Sequence, residues 1–232
     1  MPYRRLPTTD VSRLKALHAS TRMAEISGLD QLAFPAQYIH TLRNIINKLE
    51  GAKHQQNQAR RHRIAFNREH QPNLVKTRLY LSHFIQVLNF AIIRDEVPES
   101  ARAFYGLEDF ANRLPDFRSD TDILEWGKKI IDGEKHRIKT GGIPIMTPNI
   151  ARVQVWYERF REGYYNQLTS NKSTIRADQK MIEIRKEVDT LLATVWDWIE
   201  KFYSAYPEPE RRTLVEKYGI VYVLRKGEKE SS

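Results

Sequence analysis

Between residues 9 and 218 apolar side chains return every three or four positions, the period of an α-helix, and no set of alternating strands is available. The spacing predicts a first helix from Thr9 or Asp10 through Val11, Leu14 and Leu17, fading before Ser27 and Gly28. A longer helix follows Pro35, with Ile39, Leu42, Ile46 and Leu49 on one stripe. Its polar continuation, residues 51–58, leads into a basic stretch and then Pro72, where a hairpin turn is expected. Leu74, Leu81, Phe84, Ile85, Leu88 and Ile92 mark the next helix, broken at Pro98, and a short helix runs from about Glu99 to Gly106.

The same order then returns. Thr121, Asp122 and Ile123 repeat Thr9, Asp10 and Val11 at an offset of 112, with Ser119 to Asp122 as a capping pattern. Gly141 answers Gly28, Pro148 answers Pro35, and Tyr218-Gly219 answers Tyr105-Gly106, each at an offset of 113. Thr147 reads as an N-cap with Pro148 at the first helical position. A long aromatic helix carries Ile150, Val153, Tyr157, Phe160, Tyr164 and Leu168. Another carries Met181, Ile184, Val188, Leu192, Val195 and Ile199 before Pro207, and a last short helix spans about residues 209–218.

A constant offset in a constant order points to tandem duplication of about 113 residues. The expected fold is all-α: two long helical hairpins packed as a four-helix-like bundle with short flanking helices. A lone hairpin leaves half its stripe wet, and each large apolar side chain fully buried contributes about 1.5–3 kcal/mol. One domain of two similar halves, residues 1–113 and 114–224, is therefore expected, followed by a packed extended segment at Ile220 to Leu224 and a frayed tail at residues 225–232.

Composition narrows the function. With no cysteine, the chain has no disulfide framework, thiolate nucleophile or Cys-based zinc site. Residues 79–93 form the longest uncharged stretch, too short for the ~20 residues of a spanning helix, and no secretory h-region follows Met1. A cytoplasmic protein with no membrane contact is expected.

No Gly-rich nucleotide loop, Glu-x-x-His pair or His-Glu-x-x-His motif occurs, so no cofactor, metal or catalytic residue is assigned. Glu50 and His54, spaced i,i+4, read as a solvated helix face. Ser12 to Lys15, Ser119 to Thr121 and Lys139 to Gly141 follow the order of the three motifs of penicillin-recognising enzymes. Those enzymes need Lys-Thr-Gly on a strand, whereas Lys139 ends a predicted helix. His83 and Asn89, near the buried stripe of the most apolar helix, read as core-edge groups, and His83 and the bundle aromatics are the candidates for a small-molecule pocket between the repeats.

Charge is the most informative feature left. Residues 1–78 hold 14 Lys/Arg against 5 Asp/Glu, and residues 79–232 hold 24 of each, so the whole excess of +9 lies in the first third. Arg60, Arg61, Arg63 and Arg68, with Phe66 among them, are the candidate polyanion-binding residues, placed at the expected hairpin tip. Three functions stay open: a non-enzymatic helical interaction or structural module with a protein partner or self-association, nucleic-acid binding through this patch, and small-molecule binding between the repeats.

Tyr3-Arg4-Arg5-Leu6-Pro7, Gly141-Gly142-Ile143-Pro144, Trp156-Tyr157-Glu158 and the tract from Tyr218 to Val223 together resemble an uncharacterised family of bacterial all-helical proteins. The resemblance implies a bacterial cytoplasmic setting and no activity.

Overall fold

Local capping chemistry sets where the first helices begin. In the computed structural model, which describes residues 3–28 and 31–224, Thr9 caps α1 (Asp10–Ser27), exchanging hydrogen bonds with Ser12. Ser119 does the same for α3 (Asp120–Lys139) with Asp122. Between them lie α2 (Gln37–Ile93) and two 3₁₀ turns, Glu99–Tyr105 and Glu108–Phe110; α4 (Ile150–Phe202) and α5 (Glu208–Glu216) follow. The chain is mostly helical, as its apolar period predicts. The Ile220–Leu224 run supplies β2 (Tyr222–Val223), which pairs antiparallel with β1 (Tyr3–Arg4). The expected frayed tail, residues 225–232, lies outside the described residues.

Three expectations are corrected. The turn predicted near residues 59–72 is helical, and α2 runs unbroken through Pro72. The long segment after Ile150 is likewise one helix to Phe202, so single long helices stand where hairpins are expected. Pro72 is exposed, so water can meet the carbonyl it leaves unbonded, and the proline costs the helix a hydrogen bond without ending it. The cap of α4 is Asn149, whose side chain accepts from the Arg152 amide at 2.9 Å, and not Thr147.

The residues gather into two compact units, one of Met1–Ala59 with Thr174–Ser232, the other Arg60–Ser173. In the first, Leu17 of α1, Leu42 and Leu49 of α2, Val188, Leu192 and Ile199 of α4, and Val215 of α5 share one core. In the second, Phe84 and Leu88 of α2, Tyr105, Ile123 and Ile130 of α3, and Val153 and Phe160 of α4 form another. Each core thus draws on both long helices. Between Ala52 and Leu81 the buried residues of α2 are Gln56, His70 and Thr77, none of them apolar. In α4 only Ser170 and Thr174 are buried between Phe160 and Met181.

In the first unit, α1 is tied to α4 by two reciprocal forks. Arg13 donates to Asp189 and Arg185 donates to Asp10, all four bonds at 2.7 Å. The Arg185 hydrogen bonds hold the Asp10 carboxyl below its ordinary value near 3.8, against the opposing effect of partial burial. A depressed folded-state pKa gives stability that is complete above the unfolded value and lost as pH falls through the folded one. Asp10→Asn should therefore flatten the acid limb of stability. Urea midpoints measured from about pH 6 down to about pH 2.5 should converge for the two proteins at the acid end. Parallel curves would show that Asp10 carries no linkage.

Candidate functional site

The four arginines singled out by charge all lie on α2 within the second unit, and all are exposed. A helix advances about 100° per residue, which sorts them. Arg61 and Arg68 are seven residues apart and so share one face, about 10 Å apart along the axis. With Ile64, Ala65 and Glu69 they line an open hollow of ≈ 620 Å³. Arg63 falls about 160° away from Arg61, and Arg60 about 100°. The inner face of α2 opposite Arg61 packs on α4: Thr77 donates to the Trp156 carbonyl at 2.8 Å, and Gln167 donates to Asn67 at 2.8 Å. The structure therefore brings Arg61 and Arg68 together and does not converge the four. Among the described residues no carboxylate pairs with Arg61, Arg63 or Arg68. Phe66, the expected stacking residue, is half-buried and lines a different hollow.

That second hollow, ≈ 210 Å³, holds His70, which sequence reasoning passes over. His70 is 1% exposed, stacks on Phe160 at 5.2 Å, and has no hydrogen-bond partner on either ring nitrogen. Its Nε2 lies 3.5 Å from the Asp120 carboxylate at the start of α3. Its Nδ1 lies against Gly163, where any Cβ would come within 2.8 Å. A mid-helix glycine costs about 1 kcal/mol relative to alanine, and here its bareness makes room for the imidazole.

The buried polar group with the most complete set of bonds is structural. Glu134, wholly buried on α3, accepts from the Tyr105 hydroxyl, from Arg137 Nε at 2.9 Å and Nη2 at 3.0 Å, and from the Ile145 amide at 2.9 Å. Arg137 also donates to the Ile143 carbonyl at 2.7 Å. Burial first, and then the Glu134 hydrogen bond, push the Tyr105 phenol above its ordinary range, so it remains a donor. The cluster thus bonds α3 to Tyr105 on one side and to the backbone at Ile143 and Ile145 on the other.

The remaining sequence candidates separate. His83 is exposed and lines none of the four hollows described. Asn89 is buried and accepts from Arg102 at 2.6 Å. Glu50 and His54 both face solvent. Lys139 ends α3, so Lys-Thr-Gly is not on a strand. No group of three His, Asp or Glu among the described residues could hold a metal ion, and no described helix is long and apolar enough to cross a membrane. Comparisons with protein-family models, curated proteins and solved structures find no match to this chain.

Proposed function

We propose that this protein is a non-enzymatic helical interaction module that engages a nucleic-acid backbone through the outer face of α2. The observation that carries the reading is the pair of exposed arginines without carboxylate partners, Arg61 and Arg68, on one face of the helix. An exposed guanidinium with no internal ion pair keeps its full attraction for phosphate, independent of base sequence. Arg60 adds to the local positive potential.

The test is a titration with duplex DNA and with single-stranded RNA at several salt concentrations. Two phosphate contacts give a log-log slope near −1.8 for duplex DNA, about a 12-fold loss of affinity from 50 to 200 mM salt. Replacing Arg61 and Arg68 together by alanine should bring the slope toward zero. Absence of binding at the lowest salt, or an unchanged slope in the double variant, overturns the reading.

A protein partner or a second copy of the chain is the companion reading. It is favoured by the exposed Trp198 and Phe202, which with Leu32 and Phe34 border a hollow of ≈ 540 Å³. Light scattering that gives a monomer at all concentrations argues against the second copy.

The architecture is proposed to descend from tandem duplication. The four glycines with left-handed backbone, Gly28 and Gly106 against Gly141 and Gly219, stand at an offset of 113 in each pair. Both halves open on a capping box, and their long helices begin at Gln37 and Ile150, again 113 apart. Buried Tyr105 and Tyr218 precede the second pair of glycines. A core fed by four helical segments in each unit supports bundle-like packing within the unit.

A further inference from the structure

We propose that the first unit carries a binding site for a small amphipathic acid, in a cavity walled by α1 and the β1–β2 ribbon. Its volume, ≈ 520 Å³, falls within the range of small-molecule sites, about 300–1,000 Å³. The lining is largely apolar, with Leu6, Ala16, Ala19, Ile220 and Trp196 presenting hydrocarbon and ring surface.

Two polar features give that apolar space a chemistry. Trp196 is 1% exposed, and its indole nitrogen is buried with no hydrogen-bond partner. An indole can only donate, so this N–H lacks an acceptor that the protein itself does not supply. Buried donors of this kind are rare and call for an explanation; Trp196 lines the cavity, so the proposed acceptor is a ligand oxygen. At the rim stand Arg5 and Lys15, both exposed and neither paired with a carboxylate among the described residues. Glu216 is the one acidic residue of the lining, leaving the rim with a net positive charge. An apolar body, an acceptor oxygen reaching Trp196 and a negative charge between Arg5 and Lys15 together describe the occupant. A cationic or purely apolar molecule satisfies only part of this pattern. The site shares no residue with the arginine face of α2 and does not depend on the nucleic-acid reading.

The probe is benzoylbutyrate, which joins an aryl ketone to a carboxylate, observed through the indole N–H resonances of uniformly ¹⁵N-labelled full-length protein. The Trp196 resonance is identified by its loss in Trp196→Phe. Saturable movement of that resonance is expected, with about tenfold weaker binding for the uncharged benzoylbutyramide or for the Arg5→Ala/Lys15→Ala variant. Phenylvalerate, which lacks the ketone, should bind more weakly and leave the indole N–H where it is. Glu216→Gln should strengthen binding of the acid. Ala19→Phe, placed to fill the cavity from α1, should abolish binding. Should that variant fail to fold, the rim variants and the amide still decide. No movement of the Trp196 resonance at millimolar probe, or equal binding of acid and amide, overturns the proposal.

Discussion

Glu134→Ala should cost about 3–5 kcal/mol of stability, read as a fall in the urea midpoint with the slope unchanged. Loss of packing alone does not reach that figure, because the removed side chain is polar and its stem is short. The cost comes from the partners left behind. Arg137, 4% exposed, would retain a buried positive charge, and the Tyr105 hydroxyl and Ile145 amide would each lose their acceptor. Arg137→Ala should cost a similar amount by stranding the carboxylate. The double variant should cost little more than either single one, since the charge each single variant leaves unpaired is gone. Full neutrality on replacing the pair by apolar residues is not expected. Glu134 and Arg137 also bond the backbone at Ile145 and Ile143, and apolar replacements would orphan both groups. A loss under about 1 kcal/mol for Glu134→Ala would mean the pair is worth no more than a surface ion pair.

This cluster also shows what was legible in the chain and what was not. The stripe of α3 passes through Ile123, Gly127, Ile130, Glu134 and Arg137 at spacings of three and four, so a charged pair falls on positions where apolar residues belong. Followed to its end, the periodicity flags Glu134 and Arg137 as buried. Their pairing with Tyr105 rests on a tertiary contact that no local pattern carries. Helix beginnings at Thr9 and Ser119 were legible because a cap is a contact among four consecutive residues. The continuity of α2 was not. Its stretch from 53 to 80 lacks a buried apolar stripe, and Pro72 reads as a stop. What accompanies the helix there is polar contact with α4, such as Thr77 to the Trp156 carbonyl, which hydropathy cannot register.

The candidate site follows the same logic. Exposure of Arg60, Arg61, Arg63 and Arg68 could be read from composition, because charge without an apolar period stays in water. Their phase could not, since a turn at residues 59–72 would have gathered all four at one tip. On a continuous helix, Arg61 and Arg68 face one way and Arg63 nearly the opposite way. The unsatisfied indole of Trp196 lay beyond reach for a different reason. Tryptophan at a helical stripe position reads as core, and it is core; only coordinates reveal that its N–H has no partner.

Gly133→Ala should destabilise the protein by about 3 kcal/mol, although alanine is the better helix former by about 1 kcal/mol. The two effects act on the same residue and differ in origin. Intrinsic propensity concerns the backbone freedom of the unfolded chain and favours the substitution. Packing opposes it: a Cβ on Gly133 would overlap the Phe104 carbonyl oxygen and lie 2.8 Å from the Tyr105 ring. The closer obstacle is backbone, so it cannot swing aside as a flexible side chain would, and relief requires moving the 3₁₀ turn off α3. Such movement would also pull the Tyr105 hydroxyl from Glu134, coupling the clash to the charged cluster one residue away. Gly51→Ala isolates the opposing effect. That residue is exposed on α2, no atom stands within 4 Å of its Cβ position, and the substitution should raise stability by about 0.4–1 kcal/mol. Thermal and urea unfolding of the two variants should thus move in opposite directions. A Gly133→Ala protein as stable as the original would show that the 3₁₀ turn yields at little cost and that α3 is not closely packed against it.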